Sequence, residues 1–257
     1  MILKNRKIFE EEMYSQTELP GDFISRTDIN FISHRYFKAL TLVQNKDVLE
    51  IGAGSVIDKR EMASASKTYT AIDITKENID SCLPLGNEIG VDFIHGDAHN
   101  TSFENESFDL IIALAMIYYL DIERFLNEAK RILRPNGKLF FCTSNKNVHG
   151  FVPSPYITNY YSVPELASVL NAHGFEAKFQ GSFNQDDSIV QKFFIFSKNL
   201  VKNILLILGF DNVWRKIRDG LRGEKIRIPE ALADFPEQDT QTSDLDRTLA
   251  DRTHKII

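Results

Sequence analysis

The sequence predicts an α/β fold, a doubly wound and mostly parallel sheet flanked by helices. Three observations carry that prediction. Short runs that are apolar throughout recur along the middle of the chain. Amphipathic segments with three- and four-residue spacing lie between them. The links between the two are short and polar. Continuous apolar runs suit strands covered on both faces, and their alternation with helices suits parallel crossovers.

Taken in order, residues 1–44 read as a helical region with an aromatic cluster of Phe31, Tyr36 and Phe37. Lys46–Ile51 (KDVLEI) is the first strand and ends in Gly52-Ala53-Gly54. Thr68–Ile72 is the second and ends at Asp73; Val91–His95 is the third and ends at Gly96-Asp97. Phe108–Leu114 is the fourth, with Asp109 expected to be structural. Asp121–Leu133 is a helix, because Ile122, Phe125, Leu126, Ala129, Ile132 and Leu133 form one apolar stripe. Pro135-Asn136-Gly137 stops it and turns into a fifth strand, Lys138–Thr143. Val163–His173 is a further amphipathic helix stopped by Gly174, and Glu176–Gln180 is the expected sixth strand.

Beyond it, Val190–Leu208 is amphipathic, interrupted by Lys192, Lys198 and Lys202. Glu237–Arg252 is polar and reads as a mobile loop. His254–Ile257 is the expected start of a seventh strand, which makes 185–250 an insert before it. The chain divides accordingly into 1–44, a core at 45–184, and 185–257.

Composition narrows the function. The 257 residues are 43% hydrophobic with a net charge of −6 and a pI near 5.6. That is enough to bury a core and argues against a duplex nucleic-acid partner. Two cysteines, Cys82 and Cys142, make neither a disulfide scaffold nor a metal-ligand spacing, so buried thiols and no metal are expected. Met1–Glu12 is charged and lacks an apolar leader core. The longest apolar stretch, Ile204–Phe210, is too short to span a bilayer. A cytoplasmic protein is expected.

The chemistry gathers at the strand ends. Glu50-Ile51-Gly52-Ala53-Gly54 sits where open α/β sheets bind ligands. Its glycines let backbone approach a ligand closely. Ile57 stands where the third glycine of a dinucleotide fingerprint belongs, which counts against NAD. Asp73 lies 21 residues beyond Gly52, the place for a carboxylate that accepts from ribose hydroxyls. The other reading of Asp73 is a solvated loop aspartate. Asp97 is placed to accept from an adenine amino group, with Ala98 beside the ring.

The series VLEIGAG, AIDI, GDAHNTSFENESFDLII and RILRPNGKLFFCTSN resembles the class I S-adenosylmethionine-dependent methyltransferases, small-molecule group. The resemblance runs from about Lys46 to Phe183. It implies a Rossmann-like sheet of seven strands with an N-terminal helical lid. It implies that Glu50 lies near the methionine amino group and that Gly52, Ala53 and Gly54 form the cofactor loop. Asp73 with Ile74 would hold the ribose, Asp97 with Ala98 the adenine, and Ala113 would lie near the methionine portion. The cofactor is then S-adenosylmethionine and the product S-adenosylhomocysteine. Val56 replaces a glycine frequent in the family, and Tyr118-Tyr119 replaces a frequent Glu-His pair.

A hydroxyl acceptor benefits from a base, whereas a neutral amine does not. The candidates are Tyr118, Tyr119 and His149, of which His149 is chemically the best; its other reading is an exposed loop histidine. Asn145 lies on the same loop as His149. His95 and His99 are expected to orient backbone, and His173 to end a helix. The stretch Val152–Tyr156, Tyr160-Tyr161-Ser162 and Ile228-Pro229-Glu230 resembles methyltransferases found with bacterial surface-polysaccharide enzymes, which implies a sugar hydroxyl as acceptor. An N- or C-methyltransferase of another metabolite and a non-catalytic relative are the alternatives. The insert has three roles open to it: capping the site, forming a homodimer, or resting on a membrane. Its negative-leaning surroundings disfavour the last.

Overall fold

The computed structural model describes residues 20–54, 57–148, 159–184, 225–229, 231–235, 243–244 and 253–256, with single residues within 151–157 and 197–217. Two sheets are present among them. The small one pairs β1 (Phe23–Ser25) antiparallel with β8 (Lys225–Arg227). The large one has eight strands: β2 (Asp47–Ile51), β3 (Thr68–Asp73), β4 (Asp92–His95), β5 (Phe108–Leu114), β6 (Leu133–Ser144), β7 (Gln180–Asn184), β9 (Ser243–Asp244) and β10 (Thr253–Ile256). Their order is β4-β3-β2-β5-β6-β10-β7-β9. The first five are parallel and the last three pair antiparallel.

Alternate residues along the parallel strands feed two cores, one on each face. Leu49, Ile51, Ile111 and Ala113 pack with α4 (Ile122–Ile132) and α5 (Val163–Ala172). Val48, Ala71, Leu110 and Ile112 pack with α1 (Arg26–Leu42), α2 (Lys59–Ala65) and α3 (Lys76–Ile89). Burial on both faces is why these strands read as unbroken apolar runs. The helices start and stop on local chemistry. Asp121 caps α4 through Arg124 N, and Ser162 with Glu165 forms a reciprocal capping box on α5. Gly90 and Gly174 follow α3 and α5 at φ +74°, where a side chain would be strained.

At the opposite end of the sheet from the glycine loop, Asp109 is a structural pin. It accepts from the Asp47 N–H at 2.9 Å and from Arg134 Nη1 at 2.9 Å. Arg134 also reaches Asp47 Oδ2 at 2.7 Å. Cys82 and Cys142 are buried and form no disulfide.

Three expectations are corrected. The strand expected at Glu176–Gln180 begins only at Gln180. Phe175, Ala177 and Phe179 do pack on the core, but the ladder partner, β10, aligns with Gly181–Asn184. The large sheet has eight strands rather than seven, because Ser243–Asp244 pairs with Gln180–Gly181. That pairing also removes part of the loop expected over Glu237–Arg252; the rest of that loop lies outside the described residues. The last strand covers Thr253–Ile256 and lies between β6 and β7. No described helix is long and apolar enough to cross a membrane.

Regions at the two ends of the sequence are interlaced. β1 and β8 pair, and Ile228, Leu232 and Phe235 pack beside Ile29, Ile32 and Tyr36 of α1. Tyr36 and Phe235 meet edge to face at 6.3 Å.

Candidate functional site

The sheet reverses its winding at β2, whose neighbours are β3 and β5. Ligands of open α/β sheets bind at such a switch, beyond the carboxyl ends of the strands. A cavity opens there. Its floor is Glu50–Gly54, Ile72–Thr75 and Gly96–His99, and Leu114–Met116 with Tyr118–Leu120 form a wall. Arg35 and Tyr36 of α1 close another side.

The loop after β2 is built for close approach. Gly52 and Gly54 hold φ of +75° and +53°. A Cβ on Gly52 would stand 3.2 Å from the Met116 side chain, so glycine there keeps the cavity open. Gly54 N–H donates to Asp73 Oδ2 at 3.0 Å, and Thr75 N–H donates to Asp73 Oδ1 at 2.8 Å. Asp73 is buried, not a solvated loop residue. Each of its oxygens keeps a second acceptor site, and the residue lines the cavity with Ile74.

Asp97 is held by His99. His99 donates its backbone N–H to Asp97 Oδ1 at 2.9 Å, and its Nδ1 lies 2.6 Å from the same oxygen. His99 Nε2 accepts from the Asp121 N–H at 3.0 Å, which puts the ring proton on Nδ1, facing Asp97. Burial pushes the Asp97 carboxyl up, but the His99 backbone and ring bonds outweigh it and hold it below the ordinary value. Asp97 is therefore an ionised acceptor with Oδ2 available, and Ala98 packs beside it in the cavity wall. His95 Nε2 meets the Ile74 carbonyl at 3.0 Å.

Glu50 is the charged centre under the loop. Its Oε2 lies 2.7 Å from Lys59 Nζ and accepts from Tyr69 OH at 2.9 Å. Lys59 also reaches Asp58 Oδ1 at 2.7 Å. All three charged groups are buried. Burial pushes the Glu50 carboxyl up to about 8; Lys59 opposes that shift and Asp58 adds to it. Burial opposes the Lys59 charge, but Asp58 and Glu50 outweigh it and raise its pKa.

Tyr118 and Tyr119 lie on a short 3₁₀ turn, Ile117–Tyr119, and both line the cavity. They begin an aromatic chain. Tyr118 meets Tyr119 at 4.7 Å and Tyr160 at 5.9 Å, and Tyr160 meets Phe151 at 4.7 Å. His149 and Val56 lie outside the described residues. Asn145 is buried and bridges to Tyr161. Ala113 is corrected. It lies inside β5 and faces the core beside Leu49 and Ile51, while Leu114, Ala115 and Met116 reach the cavity.

Residues 49–141 match the family model described as a methyltransferase domain. That stretch is similar to a methyltransferase domain. The match supports S-adenosylmethionine as its methyl donor. It runs from β2 into β6 and so covers the cavity floor and the Tyr118-Tyr119 wall.

Curated relatives are similar to part of the chain. A phthiotriol/phenolphthiotriol dimycocerosates methyltransferase 1 of Mycobacterium ulcerans is 37% identical over 41% of this chain and 41% of its own length. Its counterpart in Mycobacterium leprae is 35% identical over 47% and 45%. A fatty-acid O-methyltransferase of Mycolicibacterium smegmatis is 31% identical over 38% and 37%. The chain thus spans less than half the length of these relatives.

Among solved structures, a chain of a Haloferax volcanii complex of a methyltransferase with its activator has TM-score 0.53 at 23% identity, covering 60% of this chain and 74% of that one. An S-adenosylmethionine dependent methyltransferase from Mesorhizobium loti has TM-score 0.50 at 15% identity, over 65% and 94%. Both show the Rossmann-like fold.

Sequence reasoning missed Arg35 and Lys59. Arg35 lies on a helix whose charges read as a solvated face, and only the closure of α1 over the cavity marks it. Lys59 reads as an ordinary helix lysine in KREMASA.

Proposed function

We propose that the protein is an S-adenosylmethionine-dependent methyltransferase acting on a small, lipid-like acceptor, with a carboxylate oxygen as the preferred site. The cofactor supplies a methyl group already activated on a sulfonium. The residues fit it. Asp73 would take the ribose hydroxyls on its two remaining acceptor sites, Asp97 the adenine amino group, and Glu50 the methionine ammonium. Arg35, the one Lys or Arg side chain lining the cavity among the described residues, would face the methionine carboxylate.

The single observation that carries the acceptor reading is His99. Among the described residues it is the one histidine that lines the cavity, and both of its ring nitrogens are engaged. A carboxylate acceptor is already deprotonated at neutral pH and needs no base, so the chain has only to align it. The aromatic chain Tyr119, Tyr118, Tyr160 and Phe151 offers an apolar wall to a hydrocarbon tail. The relatives named for phthiotriol dimycocerosates and for a fatty acid support an apolar acceptor. The sugar acceptor expected from the sequence draws no support from them. A cytoplasmic location goes with this reading.

Purified protein incubated with S-adenosylmethionine and a panel of long-chain fatty acids, fatty alcohols and nucleotide sugars tests it by mass spectrometry. A methyl ester is expected. An ether on a fatty alcohol, lost in His149→Ala, would move the reaction to a hydroxyl with His149 as base. Methylated sugar would return the acceptor to polysaccharide chemistry.

A further inference from the structure

Seven of the eleven large apolar side chains that stand exposed among the described residues fall between 200 and 217. Leu200, Val201, Ile204 and Leu208 are 50, 43, 48 and 61% exposed. They share one helical face. The Leu208 N–H donates to the Ile204 carbonyl at 3.0 Å, and the Phe210 N–H closes the helix end on Leu205 at 2.8 Å across Gly209 at φ +75°. At 3.6 residues per turn, positions 200, 201, 204 and 208 fall within an arc of about 100°. Lys202 falls on the other side. None of these apolar side chains lines the cavity, so they do not cap the site.

The local charge decides what would cover this face. Residues 192–227 hold nine lysines and arginines against three acidic residues, a net of +6 in a chain whose total is −6. The insert's surroundings, expected to lean negative, are locally basic; the chain total of −6 hides this segregation. A second copy of the same face would bring two +6 segments together. An anionic surface relieves that charge, and an apolar stripe flanked by lysine and arginine suits the plane of a lipid headgroup layer.

We propose that the exposed face of Leu200, Val201, Ile204 and Leu208 docks the protein on an anionic lipid bilayer, in the interface plane and without crossing it. The apolar side chains enter the acyl boundary, and the basic residues of the segment meet the lipid phosphates. The proposal stands apart from the methyltransferase reading, because docking needs no turnover.

The full chain carries one tryptophan, Trp214, inside this segment of sequence, so its emission reports docking directly. The experiment mixes the protein with phosphatidylcholine vesicles, with and without phosphatidylglycerol, and follows co-sedimentation and Trp214 emission. Binding with a blue shift is expected on the anionic vesicles, weaker by about tenfold or more on neutral ones, and weakened again by added salt. Ile204→Glu with Leu208→Glu is expected to lose binding by about tenfold or more, with circular dichroism and S-adenosylmethionine affinity unchanged. No binding to anionic vesicles, equal binding to neutral ones, or full binding by the double variant overturns the proposal. So does a dimer in sedimentation velocity that the double variant dissolves, because a second copy then covers the face.

Discussion

Lys59 Nζ stands 2.7 Å from Glu50 Oε2 and 2.7 Å from Asp58 Oδ1, with every one of these side chains buried. One ammonium thus holds two carboxylates directly beneath the loop that forms the cavity floor. Asp58 Oδ2 is buried without a hydrogen-bond partner, so among the described residues Lys59 supplies the ionic balance of the cluster.

Removing that balance is costly. Lys59→Met leaves two buried carboxylates with no cation, a change worth about 3–5 kcal/mol when a buried pair loses one member. Urea denaturation is expected to show this loss. It should be smaller at pH 5 than at pH 8, because burial favours the neutral Glu50 carboxyl and a proton taken up there removes its charge. A variant as stable as the parent at pH 8 would mean that Lys59 contributes little.

Glu50 also ties cofactor binding to pH. Burial pushes its carboxyl up to about 8, so the empty site holds a proton at neutral pH. A cofactor ammonium favours the ionised form and expels that proton. Affinity for S-adenosylmethionine is therefore expected to rise with pH, by up to about tenfold per unit below 8, and to level off above it. Calorimetry at pH 7 in buffers of different ionisation enthalpy should register proton release. Heats independent of the buffer would contradict the assignment.

Asp73 makes a cleaner test of the ribose contact, since its own hydrogen bonds are to backbone at both oxygens. Asp73→Ala is expected to weaken cofactor binding by about 1.5–3 kcal/mol in a protein that still folds. Unchanged affinity in the folded variant would remove Asp73 from the site.

Much of this was legible beforehand, for a physical reason. The five parallel strands and helices α4 and α5 are specified by local periodicity, and Asp73 and Asp97 follow from their place at strand ends. What local pattern cannot supply is long-range pairing. β7 was displaced by four residues because Phe175, Ala177 and Phe179 alternate like a strand, while the ladder depends on Thr253–Ile256. The pairing of β1 with β8 is remote in the same way. Lys59 and Arg35 were invisible because a charged residue on a helix reads as solvated until the fold buries it or turns it towards a cavity. Ala113 faces the core on the inward side of its strand, which its place near the end of an apolar run does not reveal.

Acid stability follows from a second set of carboxylates. Arg131 and then Thr101 hold Glu128 down to about 2 against its burial, and Lys67 and Arg134 hold Asp47 down to about 2. A depressed folded pKa stabilises above the unfolded value and is lost as pH falls through the folded one. The melting temperature is expected to fall between about pH 4.5 and 2, less steeply in Glu128→Gln. Equal steepness in that variant would assign the acid transition to other groups.

The most direct test of the account is a calorimetric titration of the purified full chain with S-adenosylmethionine, S-adenosylhomocysteine and NAD. Saturable binding of both sulfur ligands at one site, with none of NAD, is the predicted result. Binding of NAD, or of neither sulfur ligand by a folded protein, would contradict it.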